Sequence, residues 1–181
     1  MQLDKLTIKS QEALSEAQSQ AGSRGHGAIE PAHLLGALLG QPEGATVPVL
    51  QKLGVSIDQL MGELEALLQR APKVSGAGVQ ARMSDGLSRV LQRAFDEADQ
   101  LKDEYVSTEH LLLAIAADPK EASGALLALV GATRDTLLQA LQSVRGGSRV
   151  TDPDPESKYQ ALAKFGRVRS PGRSCRGALG R

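Results

Sequence analysis

Tryptophan is absent from this chain, and only two phenylalanines, two tyrosines and one cysteine occur among its 181 residues. With so few rings, the aliphatic side chains must fill any core, and their leucine and alanine content favours helices. The lone Cys175 excludes an intrachain disulfide. No run of about 18 apolar residues and no charged-then-apolar leader is present, so neither a membrane span nor a secretory signal is expected and the cytoplasm is the expected location. Catalytic signatures are missing as well. There is no G-x-x-x-x-G-K-[ST] loop to cradle phosphates, so no ATPase activity and no cofactor are expected. His26, His33 and His110 are the only histidines; without an H-E-x-x-H pair or a cysteine cluster they predict no metal site, and no nucleophile and base can be paired among such sparse candidates. The zero net charge conceals an asymmetry: residues 1–145 carry 13 basic and 18 acidic groups, a balance of −5, while residues 146–181 carry 8 and 3, a balance of +5.

What the chain does have is a repeat. Shifted by 77 residues without a gap, Ile29-Glu30-Pro31-Ala32-His33-Leu34-Leu35-Gly36-Ala37-Leu38 falls on Val106-Ser107-Thr108-Glu109-His110-Leu111-Leu112-Leu113-Ala114-Ile115. The same offset pairs Leu14 with Leu91, Ala17 with Ala94, Gly54 with Gly131, Asp58 with Asp135 and Leu64 with Leu141. A period this long, present twice, predicts one pseudo-twofold domain in place of a solenoid. The expected domain is residues 1–145, with repeat one about 1–70 and repeat two about 79–145.

Each repeat reads as four helices, giving an all-α fold of two pseudo-symmetric four-helix repeats. Leu87, Val90, Leu91, Ala94, Ala98 and Leu101 step by three and four along one long helix, and Ala13, Leu14, Ala17 and Ala21 mark its counterpart. Thr7 and Ser84 stand at equivalent positions before these helices as N-cap candidates. Pro31 suits the first turn of the second helix, and Glu30 and Glu109 lie where the helix dipole favours negative charge. A short third helix, around 45–53 and 121–130, ends at Gly54 or Gly131 in the left-handed role. Ser56 and Thr133 then cap a fourth. Its apolar face carries Leu60, Met61, Leu64, Leu67 and Leu68 in one repeat and Leu137, Leu138, Leu141 and Val144 in the other. Pro72 to Gly78 reads as the connecting loop. His33 and His110, equivalent first-turn residues, are expected to serve packing or local hydrogen bonding.

The two copies of I/V-x-P/T-x-H-L-L-x-A-L/I, each after an alanine-rich amphipathic helix and before a glycine-ended short helix, resemble the Clp repeat domain. This is the all-helical N-terminal module of the ClpA, ClpC and ClpB AAA+ unfoldases. Leu3-Asp4-Lys5-Leu6-Thr7, Arg70-Ala71-Pro72-Lys73-Val74-Ser75-Gly76 and Arg145-Gly146-Gly147 are more similar to the ClpB branch. So is Glu156 to Gly166, which in that branch leads into the first ATPase module. The resemblance covers roughly residues 1–166. It implies a non-enzymatic domain that binds unfolded or aggregated polypeptide in stress response and protein disaggregation, with ClpB-type ATPase subunits as further partners. By the same resemblance, the positions matching substrate handling are Thr7, Ser84, Asp103 and Glu109, with Leu91 at an apolar groove position. Arg93 and His110 stand where some relatives are apolar. Capping would equally explain Thr7 and Ser84, dipole complementation Glu109, and core packing Leu91. As a rim residue, Asp103 is expected to tolerate truncation to alanine with little change in melting temperature.

Residues 146–166 are expected to be a linker and residues 167–181 a basic disordered tail, being rich in Arg, Gly, Ser and Pro without helical or strand period. The tail's composition fits a truncated or frame-disrupted product ending before the ATPase module; the alternative is a natural short tail with affinity for acidic surfaces. Proteolysis is expected to concentrate after Arg145 and to leave a monomeric helical unit. The competing function is an adaptor-docking domain of the ClpA or ClpC type. A specific nucleic-acid partner is not expected, since the tail lacks interleaved aromatics to stack on bases, and no membrane partner is expected.

Overall fold

The computed structural model describes residues 3–41, 44–74, 81–145 and 149–155. A 3-10 turn at Leu3–Lys5 leads into α1 (Ile8–Ser23), β1 (Ala28–Ile29), α2 (Pro31–Gly40), α3 (Thr46–Lys52) and α4 (Ile57–Gln69). β2 (Arg82–Met83), α5 (Asp85–Leu101), α6 (Thr108–Ala116), α7 (Ala122–Leu129) and α8 (Arg134–Arg145) follow. The fold is all-α with four helices per repeat, as the 77-residue period predicts. The tail 167–181, Cys175 and most of the expected linker lie outside the described residues.

Local chemistry sets the boundaries. Thr7 Oγ1 accepts a hydrogen bond from Ser10 N at 3.2 Å and Ser84 Oγ accepts one from Leu87 N at 3.1 Å, satisfying free donors at the starts of α1 and α5. Ser56 and Thr133 do the same for α4 and α8, each at 3.4 Å. Gly54 and Gly131 adopt φ of 78° and 76° just past α3 and α7, where a side chain would be strained.

The core is built around α2 and α6, which pack on each other and are buried on every side; a helix apolar all round has no solvent face to offer. Ala13, Ala17 and Ala21 are fully buried, letting α1 lie close on α2. On α4, Leu60, Leu64 and Leu68 point inward while Met61 stays 41% exposed, so the buried face is narrower than the run of apolar residues. Bidentate pairs brace the periphery: Arg24 holds Glu65 through contacts of 2.7 and 2.6 Å, and Arg134 holds Glu97.

Two features depart from the sequence reading. Short strands appear where none was expected, and they cross between the repeats: β1 pairs in parallel with β2, and Leu6 makes a parallel bridge with Val106. Under the 77-residue offset Leu6 corresponds to Met83 and Ile29 to Val106, so the second pairing is the pseudo-symmetric image of the first. The packed unit also reaches beyond residue 145. Val150 is fully buried, and Pro153 O accepts a hydrogen bond from Ile8 N at 2.9 Å.

Candidate functional site

The turn after α5, the first turn of α6 and the last turn of α8 bring four charged or titratable side chains together out of water. Asp103 follows Lys102, which takes the left-handed conformation (φ 58°) that ends α5. Its carboxylate has no exposed surface and accepts from His110 Nε2 at 2.9 Å, Val150 N at 2.8 Å and Arg145 Nη2. Arg145, on the last turn of α8, also lies 2.8 Å from Glu109 Oε1. His110 Nδ1 accepts from the N-cap amide of Ser107 at 2.9 Å, which leaves Nε2 to carry the ring proton that faces Asp103.

Burial pushes the Asp103 carboxyl upward, but the hydrogen bonds from His110, Val150 and Arg145 outweigh it and hold the group below the ordinary aspartate value. Glu109 goes the other way: burial raises it, and the nearby Arg145 and His110 only partly compensate. One guanidinium therefore serves two buried carboxyls and neutralises Asp103 more completely. Asp103, Glu109 and His110 bring ligand-type atoms within 4.8 Å of one another, the spacing of a cation site. The cation facing both carboxyls is the guanidinium of Arg145.

Repeat one solves the same position without charge. His26, Ala32, His33 and Leu68 correspond to Asp103, Glu109, His110 and Arg145. His33 Nδ1 accepts from Glu30 N at 2.9 Å, and the His33 Nε2 proton then points to His26 Nδ1 at 2.8 Å. Both second-helix histidines thus clamp the helix start onto the preceding turn, the local hydrogen-bonding role expected for them. Burial, reinforced by the neighbouring His26, pushes the His33 pKa down to about 4.

Beside the charged cluster lies an open cleft of about 700 Å³. Its walls are the 3-10 turn (Asp4, Lys5), the outer flank of α5 (Gln92, Phe95, Asp99) and the 103–106 loop (Glu104, Tyr105). Phe95 and Tyr105, both half-buried, are the only Phe and Tyr among the described residues. Acidic groups outnumber basic ones along the walls.

Of the five residues predicted from the sequence, only Asp103 lines this cleft. Thr7 is fully buried and caps α1, Leu91 is 1% exposed in the core, and Glu109 is 1% exposed against Arg145. Ser84 is half-buried at the start of α5, its amide donating to Ile29 O. The buried Asp103 carboxylate with its three donors also corrects the expectation that alanine is tolerated there: truncation strands Arg145 and the Val150 amide. Sequence reasoning missed Phe95, Tyr105, Arg145 and Val150. The available signal was the failure of the repeat, since these positions correspond to Gln18, Ala28, Leu68 and Lys73.

A pseudo-twofold all-helical module with one aromatic-lined, acid-rimmed cleft is the class of protein that fold and site define. Residues 5–130 match the Clp repeat (R) N-terminal domain family, and the chain belongs to that family. The chaperone protein ClpB of Rhodopirellula baltica is 46% identical over 164 residues, covering 91% of this chain and 18% of that protein. ClpB of Corynebacterium diphtheriae is 45% identical over 161 residues, covering 88% and 19%. The chain thus spans about a fifth of the length of these relatives, and it is an N-terminal domain of the ClpB type. Among solved structures, the N-terminal domain of Hsp104 from Candida albicans matches with a TM-score of 0.74 at 20% identity, covering 84% of this chain and 99% of that one. The ClpV N-domain in complex with a VipB peptide matches at 0.67 and 23%, covering 81% and 90%. At these identities the structures speak for the fold alone.

Proposed function

We propose that this domain binds unfolded or aggregated polypeptide in the cleft between the 3-10 turn, α5 and the 103–106 loop, as the substrate-recognition module of a ClpB-type disaggregase in the cytoplasm. The observation that carries the reading is the placement of Phe95 and Tyr105 on that one open surface. Aromatic rings offer large apolar contact at low entropic cost, and a polar rim can engage peptide backbone and basic side chains. In this reading Asp103 forms part of the cleft wall, Thr7, Leu91 and Glu109 support it from behind and Ser84 supports α5 at its start, so their substitution acts on binding through the wall they hold. The domain has no ATPase chemistry of its own in this role, and its further partner is the ATPase portion of a ClpB-type subunit.

The test is a titration of an isotope-labelled chain with an unfolded polypeptide. Amide shifts are expected to cluster at Gln92, Phe95, Glu104 and Tyr105, and Phe95→Ala or Tyr105→Ala is expected to weaken binding by about tenfold, the loss of one anchoring ring. Shifts confined to residues 167–181 would replace this reading with electrostatic attraction by the basic tail. Binding of a folded adaptor on another face, with the cleft silent, would favour a docking domain of the ClpA or ClpC kind.

A further inference from the structure

The segment after α8 does not simply leave the domain. Val150 N donates to Asp103 Oδ1 at 2.8 Å, Glu104 N donates to Val150 O at 2.9 Å, and three residues later Pro153 O accepts from Ile8 N at 2.9 Å. Val150 is fully buried and Pro155 is buried. Residues 149–155 are therefore stitched to the 103–106 loop and to the start of α1, beside the two parts of the chain that face each other across the cleft. The stitch at Asp103 is shared, since the same carboxylate is held by Arg145 from α8 and by His110 from α6. Repeat one has an analogous return, Val74 N donating to Gly25 O and Lys73 bridging His26, but there the receiving side chain is a histidine and the position of Arg145 is taken by Leu68. Among the described residues, only repeat two joins the return segment to a buried ion pair and an open cleft.

We propose that Arg145 and the backbone of Val150 are positioning residues for the peptide site: acting through Asp103, they fix the cleft wall, and segment 149–155 is a working part of the binding element. This rests on the cleft being the polypeptide site. A peptide that seats against Tyr105 and Glu104 stabilises the wall as it stands, with the segment attached. The segment is then held more tightly when the cleft is full, and by linkage the cleft binds more weakly when the segment is cut loose, by the same factor. Segment 149–155 thus reports whether a peptide is bound.

Hydrogen–deuterium exchange on the full chain tests this, with reduced and carboxamidomethylated lysozyme as an unfolded, basic probe. Saturating probe is expected to slow exchange at Glu104, Tyr105 and Val150 together, by at least about fivefold at Val150. Val150→Pro removes the donor to Asp103 while keeping every charged side chain; it is expected to lose affinity for the probe by a similar factor. Val150→Ala, which keeps the amide but trims the buried side chain, controls for stability and is expected to retain the coupling. If Val150→Pro fails to fold, the exchange of Val150 in the unsubstituted chain still decides. Protection at Glu104 and Tyr105 with Val150 unchanged would overturn the coupling and leave the cleft standing as the peptide site. Absence of protection at all three would overturn both.

Discussion

His33 has no exposed surface, and its ring pKa is pushed down to about 4 by burial and by the adjoining His26, which burial also lowers. In the unfolded chain the same ring titrates near 6.5. Between these values the unfolded state binds more protons, so stability rises with pH across the window and is lost as pH falls from about 6.5 toward 4. Urea denaturation at pH 7.5 and pH 5 is expected to differ by about 2 kcal/mol from this group, and His33→Gln to remove most of that difference; equal pH slopes in the two proteins would refute it. Arg145 supports a second prediction. Arg145→Leu leaves Asp103 and Glu109 buried without their cation, a loss of about 3 to 5 kcal/mol. The triple change Asp103→His, Glu109→Ala, Arg145→Leu installs the residues repeat one uses, and thermal melts are expected to place it well above the single variant. A triple variant no more stable than Arg145→Leu would show that the two repeats differ by more than these side chains. Individually, the cluster's residues were only half legible in the sequence. The histidine clamps followed from their first-turn position, whereas Arg145 continues the buried Leu137–Leu141 row into the last turn of α8, where a basic side chain reads first as a solvated complement to the helix dipole.

At the scale of the helices, glycine has opposite meanings at two positions. Gly62 lies exposed within α4, and an added Cβ would meet nothing within 4 Å; Gly62→Ala is expected to stabilise by roughly 0.5 to 1 kcal/mol by restricting the unfolded chain. Gly124 lies buried within α7, and a Cβ there would stand 2.1 Å from Asp118 O and 2.7 Å from Ile115 O. Because backbone cannot move aside cheaply, Gly124→Ala is expected to cost about 2 kcal/mol or more in chemical denaturation, despite alanine's better helix propensity. A neutral Gly124→Ala would mean that α7 is free to shift away from the end of α6. Helix existence and order were legible because caps and terminators recur at one offset: Thr7 with Ser84, Ser56 with Thr133, Gly54 with Gly131. The strands were not, since two-residue pairings show no alternation to read, and their partners lie far away in the chain. Phe95 illustrates the same limit for the cleft. It follows Ala94 at the margin of the apolar stripe of α5, and periodicity alone could not say that this margin is left open.

Viewed as a whole, the molecule repeats in sequence but does not divide into two bodies. The segment before α1 pairs with the segment before α6, and the segment before α5 pairs with the segment before α2, so each repeat supplies a strand partner to the other. α2 packs on α6 and α7, and α3 packs on α8. Separating the halves would expose one side of α2 and of α6, helices whose Leu34, Leu35, Leu38, Leu111, Leu112 and Leu113 are all fully buried in the intact unit. A fragment of about 75 residues has little surplus burial with which to offset that exposure. Thermal unfolding of the intact chain is therefore expected to be a single calorimetric transition. Fragments 1–74 and 81–155 are each expected to lack protected amides alone and to regain helicity on mixing, because the crossed strand pairs and the α2–α6 contact re-form between chains. Two resolved transitions, or fragment 1–74 giving a dispersed spectrum and cooperative melt by itself, would show that the repeat is a folding unit as well as a unit of sequence.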